Sequence, residues 1–591
     1  MGIPLKQYGY LLSDYLKPQQ GRVVGLAIAL FSSIALQILN PQILAYFIDT
    51  AVADGSSQTL LTAAILFIAV AFLTQILSVI ATYLGESVAW TATNALRSDL
   101  VAHCLHLDLS FHKSRTPGEL IERVDGDVNA LSRFFSRFTL DVLGNVILLL
   151  GILVVLFFED WRAGIGLSVF VLIALSSLIS LRAFAIPPWA AYRQVSAEFF
   201  GFIGEHVAGT EDIRANGAVS YVMHRFYQFL QRWLPIYQQA RFAATVLWGT
   251  TVGLFTLGNV TALAIGTYLW NQQAITIGTV YLLFHYTNLL RDPIEQIRIQ
   301  LEDLQQAEAS IYRIQDLFEV RSQFSEGEEQ PLPNSGLSVA FENVSFSYEL
   351  NPGKQSSPEE LALQNLSFYL PPGQVLGLLG HTGSGKTTIA RLLLRFYDPQ
   401  VGCIRLGGIP LNQTARKDLP ERVGLVTQDV QLFQTTVRNN LTFFDPTIDD
   451  DKILHVLEVL GLSPWLQSLP DRLDAQLGAD SGGLSAGQAQ LLAFARVFLK
   501  NPGLVILDEA SSRLDPTTEK LIERAVDQLL DGRTGVIIAH RLATVQRAQQ
   551  ILILERGRIL EYGDRETLAS NPHSRFSRLL ETGLTNLSAP S

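Results

Sequence analysis

Cysteine is almost missing from this chain: Cys104 and Cys403 are the two in 591 residues, and they stand far apart. They give neither a disulfide framework nor a metal-ligand spacing. Charge is scarce as well, at 17%, and its balance of −11 argues against nucleic acid as the main partner. The N-terminus lacks the short apolar core and small-residue cleavage site of a secretory signal, and Lys6 stands where a myristoylation signal needs Ser or Thr. No internal repeat or low-complexity tract is visible. What the chain has in excess is apolar residue, 48% with a mean hydropathy of +0.24, in a length too great for one core.

A bilayer core of ~30 Å takes about 20 apolar residues in a helix. Val23–Ile48, Leu60–Gly85 and Phe242–Gln273 contain no charged residue. Val142–Phe158 and Ala163–Leu181 are shorter but dense in Leu, Ile and Val, and Ala274–Leu290 carries His285. A buried core helix explains any one of these segments, but it explains six in succession poorly. Asn40-Pro41 predicts a kink in the first. The connection after span two carries Arg97, Lys113, Arg115, Arg123, Arg133 and Arg137, and that after span four carries Arg182, Arg193, Arg214, Arg225, Arg232 and Arg241. The loops after spans one and five carry no basic residue, and the loop after span three only Arg162. Basic residues mark the cytoplasmic side, so both termini and both long connections are expected there. Each connection, folded into two antiparallel helical arms, would reach about 40 Å from the membrane.

The acidic stretch EVRSQFSEGEEQPLPNSG has Pro and Gly but no apolar period, and reads as a linker. The expected division is therefore a membrane domain over 1–318, a linker over 319–336 and an α/β domain over 337–591, where apolar strands alternate with amphipathic helices.

In that second part, VLGLL reads as a buried strand, Gly380-His381-Thr382-Gly383-Ser384-Gly385-Lys386-Thr387 follows it, and TIARLLLRF continues as helix. This is a P-loop in its strand–loop–helix context. Its glycines let backbone N–H groups converge on phosphate oxygens. Lys386 supplies a positive charge to the terminal phosphates, Thr387 offers a hydroxyl to Mg²⁺, and Thr388 joins the nucleotide-binding set. GLVILDEA ends a second buried strand in Asp508, a candidate Mg²⁺ ligand, and Glu509, a candidate base for the attacking water. Ser485 and Gln488 in LSAGQAQLLAF make a capping box, which a well-capped helix start explains just as well as an anion site.

Order decides between those two explanations. A P-loop, Gln428 in GLVTQDVQLF, the LSAGQ loop, ILDE, Asp515 in SSRLD and His540 in IIAHR follow one another, and this succession resembles the ATP-binding cassette (ABC) family. LDLSFHKSRTPGELIERVDGDVNAL and GTEDIRANGAVSYVMHRF resemble the two cytoplasmic connections of its exporter-type half-transporters. The resemblance implies an all-α six-helix transmembrane domain with long cytoplasmic helical extensions, followed by an α/β P-loop NTPase domain. It implies ATP and Mg²⁺ as ligands, with Thr387, Gln428 and Asp508 on the metal. It implies Tyr348 stacked on adenine, Gln428 as a sensor between nucleotide and arms, and catalytic roles for Glu509 and His540. Ser485, Gly487 and Gln488 would serve the ATP held by an opposite cassette, and Asp515 joins the nucleotide-binding set. The implied location is a bacterial cytoplasmic membrane, and the implied partners are the lipid bilayer, a second half-transporter and a small amphipathic or lipid-like substrate.

The chain departs from the family pattern at Ala486, where a glycine is usual, at Ala489, where an arginine is usual, and at Ala479, where a glutamate is usual. A positive φ at 486 would cost alanine ~1 kcal/mol or more, while a negative φ would leave only a methyl group to accommodate. Intact Lys386, Asp508, Glu509 and His540 beside an altered signature fit a heterodimer with one weak ATP site. A homodimeric lipid or multidrug exporter, and an ATP-gated channel or nucleotide sensor on the same scaffold, are the alternatives. For the substrate, Glu86 and Asp141 sit at span ends where a solvated carboxylate is ordinary, and Tyr286 lies near the spans. His285 is the more central candidate, unless a hydrogen bond to a neighbouring helix satisfies it.

Overall fold

The computed structural model describes residues 14–137, 142–322, 330–333, 336–348, 361–415, 417–478, 484–508, 516–539 and 542–582. The chain forms two compact units, one built from residues up to 106 and from 116 to 321, the other from residues 107–115 together with those from 322 onward.

The described secondary structure of the N-terminal half is helical: α1 (Gln20–Val52), α2 (Ser57–His106), α3 (Leu109–Ser114), α4 (Pro117–Ile121), a π-helical turn (Glu122–Asp127), α5 (Val128–Arg137), α6 (Gly144–Glu159), α7 (Trp161–Ala208), α8 (Thr210–Ala215), α9 (Val219–Asn271), α10 (Ile277–Leu289) and α11 (Arg291–Glu319). The six apolar runs fall on α1, α2, α6, α7, α9 and α10. Among the described residues, the helices over Asp14–Val52, Ser57–His106, Trp161–Ala208 and Val219–Asn271 are long and apolar enough to cross a bilayer, and α6 is a shorter apolar helix. Pro41 leaves α1 unbroken. It removes one intrahelical donor, and one turn earlier the Tyr286 hydroxyl of α10 donates to the Ile38 carbonyl at 2.7 Å.

The core of this unit follows helical spacing. Leu148, Ile152 and Leu156 of α6 meet Leu167, Val171, Ala174 and Leu178 of α7, Phe255 and Ala262 of α9, and Leu282, Leu283 and Tyr286 of α10. Gly258 matters for contact: a Cβ there would lie 2.5 Å from the Phe170 ring, which packs edge-on against Phe255. Beyond its apolar span, α7 continues about 27 residues past Leu181, or roughly 40 Å, and α9 begins well before Phe242. Aromatic side chains zip these extensions together, with ring centroids 4.4 Å apart for Phe199 and Trp233 and 5.7 Å apart for Phe199 and Phe226. At the end of the π-helical turn Asp127 is 3% exposed, and Arg313 of α11 donates to it from Nε at 2.8 Å. That guanidinium bond keeps the carboxylate from being buried unpaired.

The other unit carries two sheets. Strands β1 (Val339–Phe346), β2 (Leu363–Leu370), β4 (Val401–Leu406) and β5 (Ile409–Pro410) form an antiparallel sheet in the order β2-β1-β4-β5. Strands β3 (Val375–Gly380), β6 (Val423–Val426), β7 (Leu504–Asp508), β8 (Thr534–Ile538), β9 (Gln550–Glu555) and β10 (Arg558–Asp564) form the order β10-β9-β3-β8-β7-β6. All neighbours in it are parallel except β10 with β9. Continuous apolar runs are what a sheet covered on both faces requires, and alternate residues do go to opposite cores. Val505 and Leu507 pack with Leu491, Leu492 and Phe494 of α13 (Ala486–Lys500) and with Ile522 and Val526 of α14 (Pro516–Leu530). Leu504 and Ile506 pack with Ile389, Leu392 and Leu393 of α12 (Lys386–Leu393) and with Phe341 and Phe368 of the antiparallel sheet. Although α3 lies early in the chain, it belongs to this unit. Leu109 packs on the second of these cores, and the Asp108 carboxylate accepts from the Ser322 hydroxyl at 2.6 Å.

Candidate functional site

Parallel pairing brings the C-terminal ends of four strands to one sheet edge. Leu378 of β3 is level with Ile538 of β8, Ile538 with Asp508 of β7, and Leu507 with Val426 of β6. Open α/β sheets bind ligands outside that edge.

The loop after β3 is shaped by three left-handed glycines, Gly380 at φ +148°, Gly383 at +82° and Gly385 at +108°. A Cβ on Gly380 would lie 2.3 Å from the Leu554 carbonyl and one on Gly385 would lie 2.6 Å from Leu363, so these two close the loop against the protein. A Cβ on Gly383 would meet nothing within 4 Å, and a cavity of about 770 Å³ reaches that residue. Gly385 is also the N-cap of α12 and brings no side chain to the helix start. The first N–H groups of α12 are thereby left for an anion. Lys386 is 5% exposed, and its ammonium donates to the carbonyls of Gly380 at 2.7 Å and His381 at 3.0 Å. Ser384 is 3% exposed, and its Oγ has no hydrogen-bond partner among the described residues. A phosphate fits this cradle: open space, uncapped donors, a lone buried hydroxyl and a cation held by weak acceptors.

Thr387 is exposed, whereas Thr388 is buried and accepts from the Tyr348 hydroxyl at 3.0 Å. Asp508 ends β7 half-buried, and Gln428 is exposed just beyond β6. Among the described residues no three His, Cys, Asp or Glu side chains cluster as metal ligands. Thr387, Gln428 and Asp508 offer oxygen atoms, the donors a hard cation such as Mg²⁺ takes. Glu509, Asp515 and His540 lie outside the described residues, as do Ala479 and Asp141.

Ser485 is the N-cap of α13. Its hydroxyl accepts from the Gln488 N–H at 3.2 Å, and the Gln488 side-chain oxygen accepts from the Ser485 N–H at 3.0 Å, so the capping box is formed. Ala486 is the first helical residue and does not have a positive φ. Of the two backbone conformations open to it, it takes the unstrained one, and its methyl group is exposed. Gly487 and Ala489 are buried.

Three neighbours of the site escape sequence reasoning. Gln490 donates to the Thr427 carbonyl at 3.2 Å and so ties α13 to the segment carrying Gln428. Arg391 donates to the Tyr348 hydroxyl at 3.0 Å, and the Lys113 ammonium lies 4.9 Å from the Tyr348 ring centroid. Gln490 and Arg391 sit within the right helices, but nothing local distinguishes them from ordinary polar residues. Lys113 is far away in sequence.

Fold and site together define a membrane-spanning P-loop ATPase. Comparison with known proteins narrows this further. The family model for the ABC transporter transmembrane region matches residues 23–294, and that for the ABC transporter matches residues 363–512. The chain is 28% identical over 567 residues to the uncharacterized ABC transporter ATP-binding protein YknV of Bacillus subtilis, covering 94% of this chain and 91% of that one. It is 28% identical over 577 residues to ATP-dependent lipid A-core flippase 1 of Colwellia psychrerythraea, covering 94% and 93%. Its fold matches the structure of a bacterial Atm1-family ABC exporter with ATP bound, at a TM-score of 0.78 and 23% identity over 97% of this chain and 99% of that one. The chain belongs to the ABC transporter family, an integral membrane protein with an ATP-binding ABC ATPase domain.

Proposed function

We propose that this chain is one half of a dimeric exporter that moves a hydrophobic or amphipathic substrate across a bacterial cytoplasmic membrane by alternating access. The observation that carries this reading is the sheet edge at which the P-loop, Asp508 and the Gln428 segment converge, in a chain whose other unit is a bundle of apolar helices. Residues 1–318 form the membrane domain, 319–336 the linker and 337–591 the ATPase domain, with the termini and both long connections in the cytoplasm.

In this reading Gly380, Gly383, Ser384, Gly385, Lys386, Thr387 and Thr388 hold the phosphates and Tyr348 holds the base. Thr387, Gln428 and Asp508 hold Mg²⁺, which neutralises phosphate charge when bound. Glu509 orients and polarises water, and His540 contacts the terminal phosphate. Ser485, Gly487 and Gln488 face the partner's ATP, and Asp515 belongs to the nucleotide-binding set. Nucleotide drives transport to the extent that it binds the closed pair of cassettes better than the open one.

Altered residues at 486 and 489 beside an intact P-loop support a heterodimer with one weak ATP site. The unstrained helical φ of Ala486 favours the second reading, a homodimer in which the alanine is tolerated. For the substrate, the relative named as a lipid A-core flippase supports a lipid-like class. Within the apolar helices, Asn259 of α9 donates to Asn288 of α10 at 3.0 Å, and its own side-chain oxygen is buried without a partner among the described residues. His285 stacks on Tyr281 at 5.8 Å and has no hydrogen-bond partner among the described residues. These are the polar groups we expect a substrate headgroup to meet.

The test is Mg²⁺-ATPase activity of the chain alone in lipid, beside Glu509→Gln. Robust activity abolished by the substitution supports the homodimer. Inactivity of a folded chain that a second subunit restores supports the heterodimer. Activity indifferent to every lipid and drug tried, with no flux in sealed vesicles, points to a channel or sensor and sinks the exporter reading.

A further inference from the structure

The ring proposed to receive the base already has company. Tyr348 follows β1, with Phe346 and Tyr397 edge-on at centroid separations of 5.0 and 5.3 Å and Arg391 bonded to its hydroxyl. The fourth neighbour comes from far along the chain: Lys113, near the end of α3, places its ammonium 4.9 Å from the Tyr348 centroid and 5.5 Å from that of Tyr397. That is cation–π geometry. Leu109 and Asp108 anchor the segment that bears it, while the lysine side chain itself is exposed. Its hold is also opposed. Partial burial and then the like charge of Arg391 push the Lys113 ammonium below the usual lysine range.

A purine stacked on Tyr348 needs a face of that ring. Phe346 is held in β1, Arg391 in α12 and Tyr397 by burial just beyond that helix, whereas the exposed Lys113 side chain can leave. We propose that Lys113 and the adenine of ATP compete for the Tyr348 ring, which makes Lys113 a determinant of how tightly the site holds the base. This rests on the reading of Tyr348 as the adenine platform. Arrival of the base releases the ammonium, so the occupancy of the ring is registered on α3.

Inorganic tripolyphosphate carries the phosphates without the base, so it separates the two contributions. Its affinity and that of ATP are to be measured on the full chain in lipid, by displacement of a fluorescent nucleotide, for the native protein, Lys113→Met, Lys113→Arg and Tyr348→Ala. Loss of one positive charge weakens both anions alike, and the ratio of the two affinities isolates the base. Lys113→Met is expected to raise the ratio in favour of ATP about two- to fivefold, the span of an exposed cation–π contact, and Lys113→Arg to leave it within about twofold. A ratio that stays level or falls in Lys113→Met, while Tyr348→Ala lowers it, overturns the competition and keeps the platform. A ratio that Tyr348→Ala leaves unchanged overturns the platform, and the competition with it.

Discussion

Helices α12 and α13 both begin where a loop of small residues turns into a helix, and both starts are proposed to meet ATP. At α12 the N-cap is Gly385, which has φ +108° and no side chain, and the following lysine folds back over loop carbonyls. At α13 the N-cap is Ser485, and its box with Gln488 satisfies two N–H groups from within. One helix start has no side-chain cap of its own, and the other is capped from within. A motif that binds its own nucleotide has unmet donors. A motif that greets a partner's nucleotide must stay folded while the partner is away, and the N–H groups of Ala486 and Gly487 are the ones its box leaves for that encounter.

The comparison breaks most easily at the uncapped start. Lys386→Ala is expected to lower Mg²⁺-ATPase by about 10²–10³, the size of losing a main charge-stabilising donor. Activity within tenfold of native would remove α12 from the phosphate site. Gly385→Ala forces a side chain into a left-handed position and against Leu363, and thermal or denaturant unfolding should show a loss of about 1–3 kcal/mol. Ser485→Ala should cost about 1 kcal/mol by the same measurement. If the box served stability alone, ATPase of the folded fraction would be unchanged, and we expect it to fall. Ala486→Gly sharpens the contrast at the small end. With 486 already helical, glycine relieves no strain, so stability should drop by ~1 kcal/mol or less and ATPase should move less than about twofold. A large gain in activity would mean that the alanine methyl obstructs the partner's site.

Legibility in the sequence followed range. Apolar runs without charge located six helices, four of them within described helices long and apolar enough to cross a bilayer, because an apolar helix needs no distant partner to be recognised, and VLGLL and LVIL announced strands buried on both faces for the same reason. The P-loop was readable because its glycines, lysine and hydroxyls are adjacent. At Ala486 the sequence left both signs of φ open, and the cap geometry at Ser485 decides it. At His285 a hydrogen bond to a neighbouring helix was an open option, and ring stacking on Tyr281 takes its place. What stayed invisible depends on contacts between remote segments: Gln490 with Thr427, Asp127 with Arg313, and α3 with the ATPase unit. No local pattern encodes such pairs.

The membership of α3 in the later unit also fixes an order of events during synthesis. Lys113 leaves the ribosome about 235 residues ahead of Tyr348, which at ~5–20 residues per second is a wait on the order of 10–50 s. Throughout that interval Leu109 has no complete core to enter, and until residue 322 emerges Asp108 has no Ser322 to bind. The newborn membrane half therefore carries an unfilled plug, and the moment it is seated marks completion of the ATPase half.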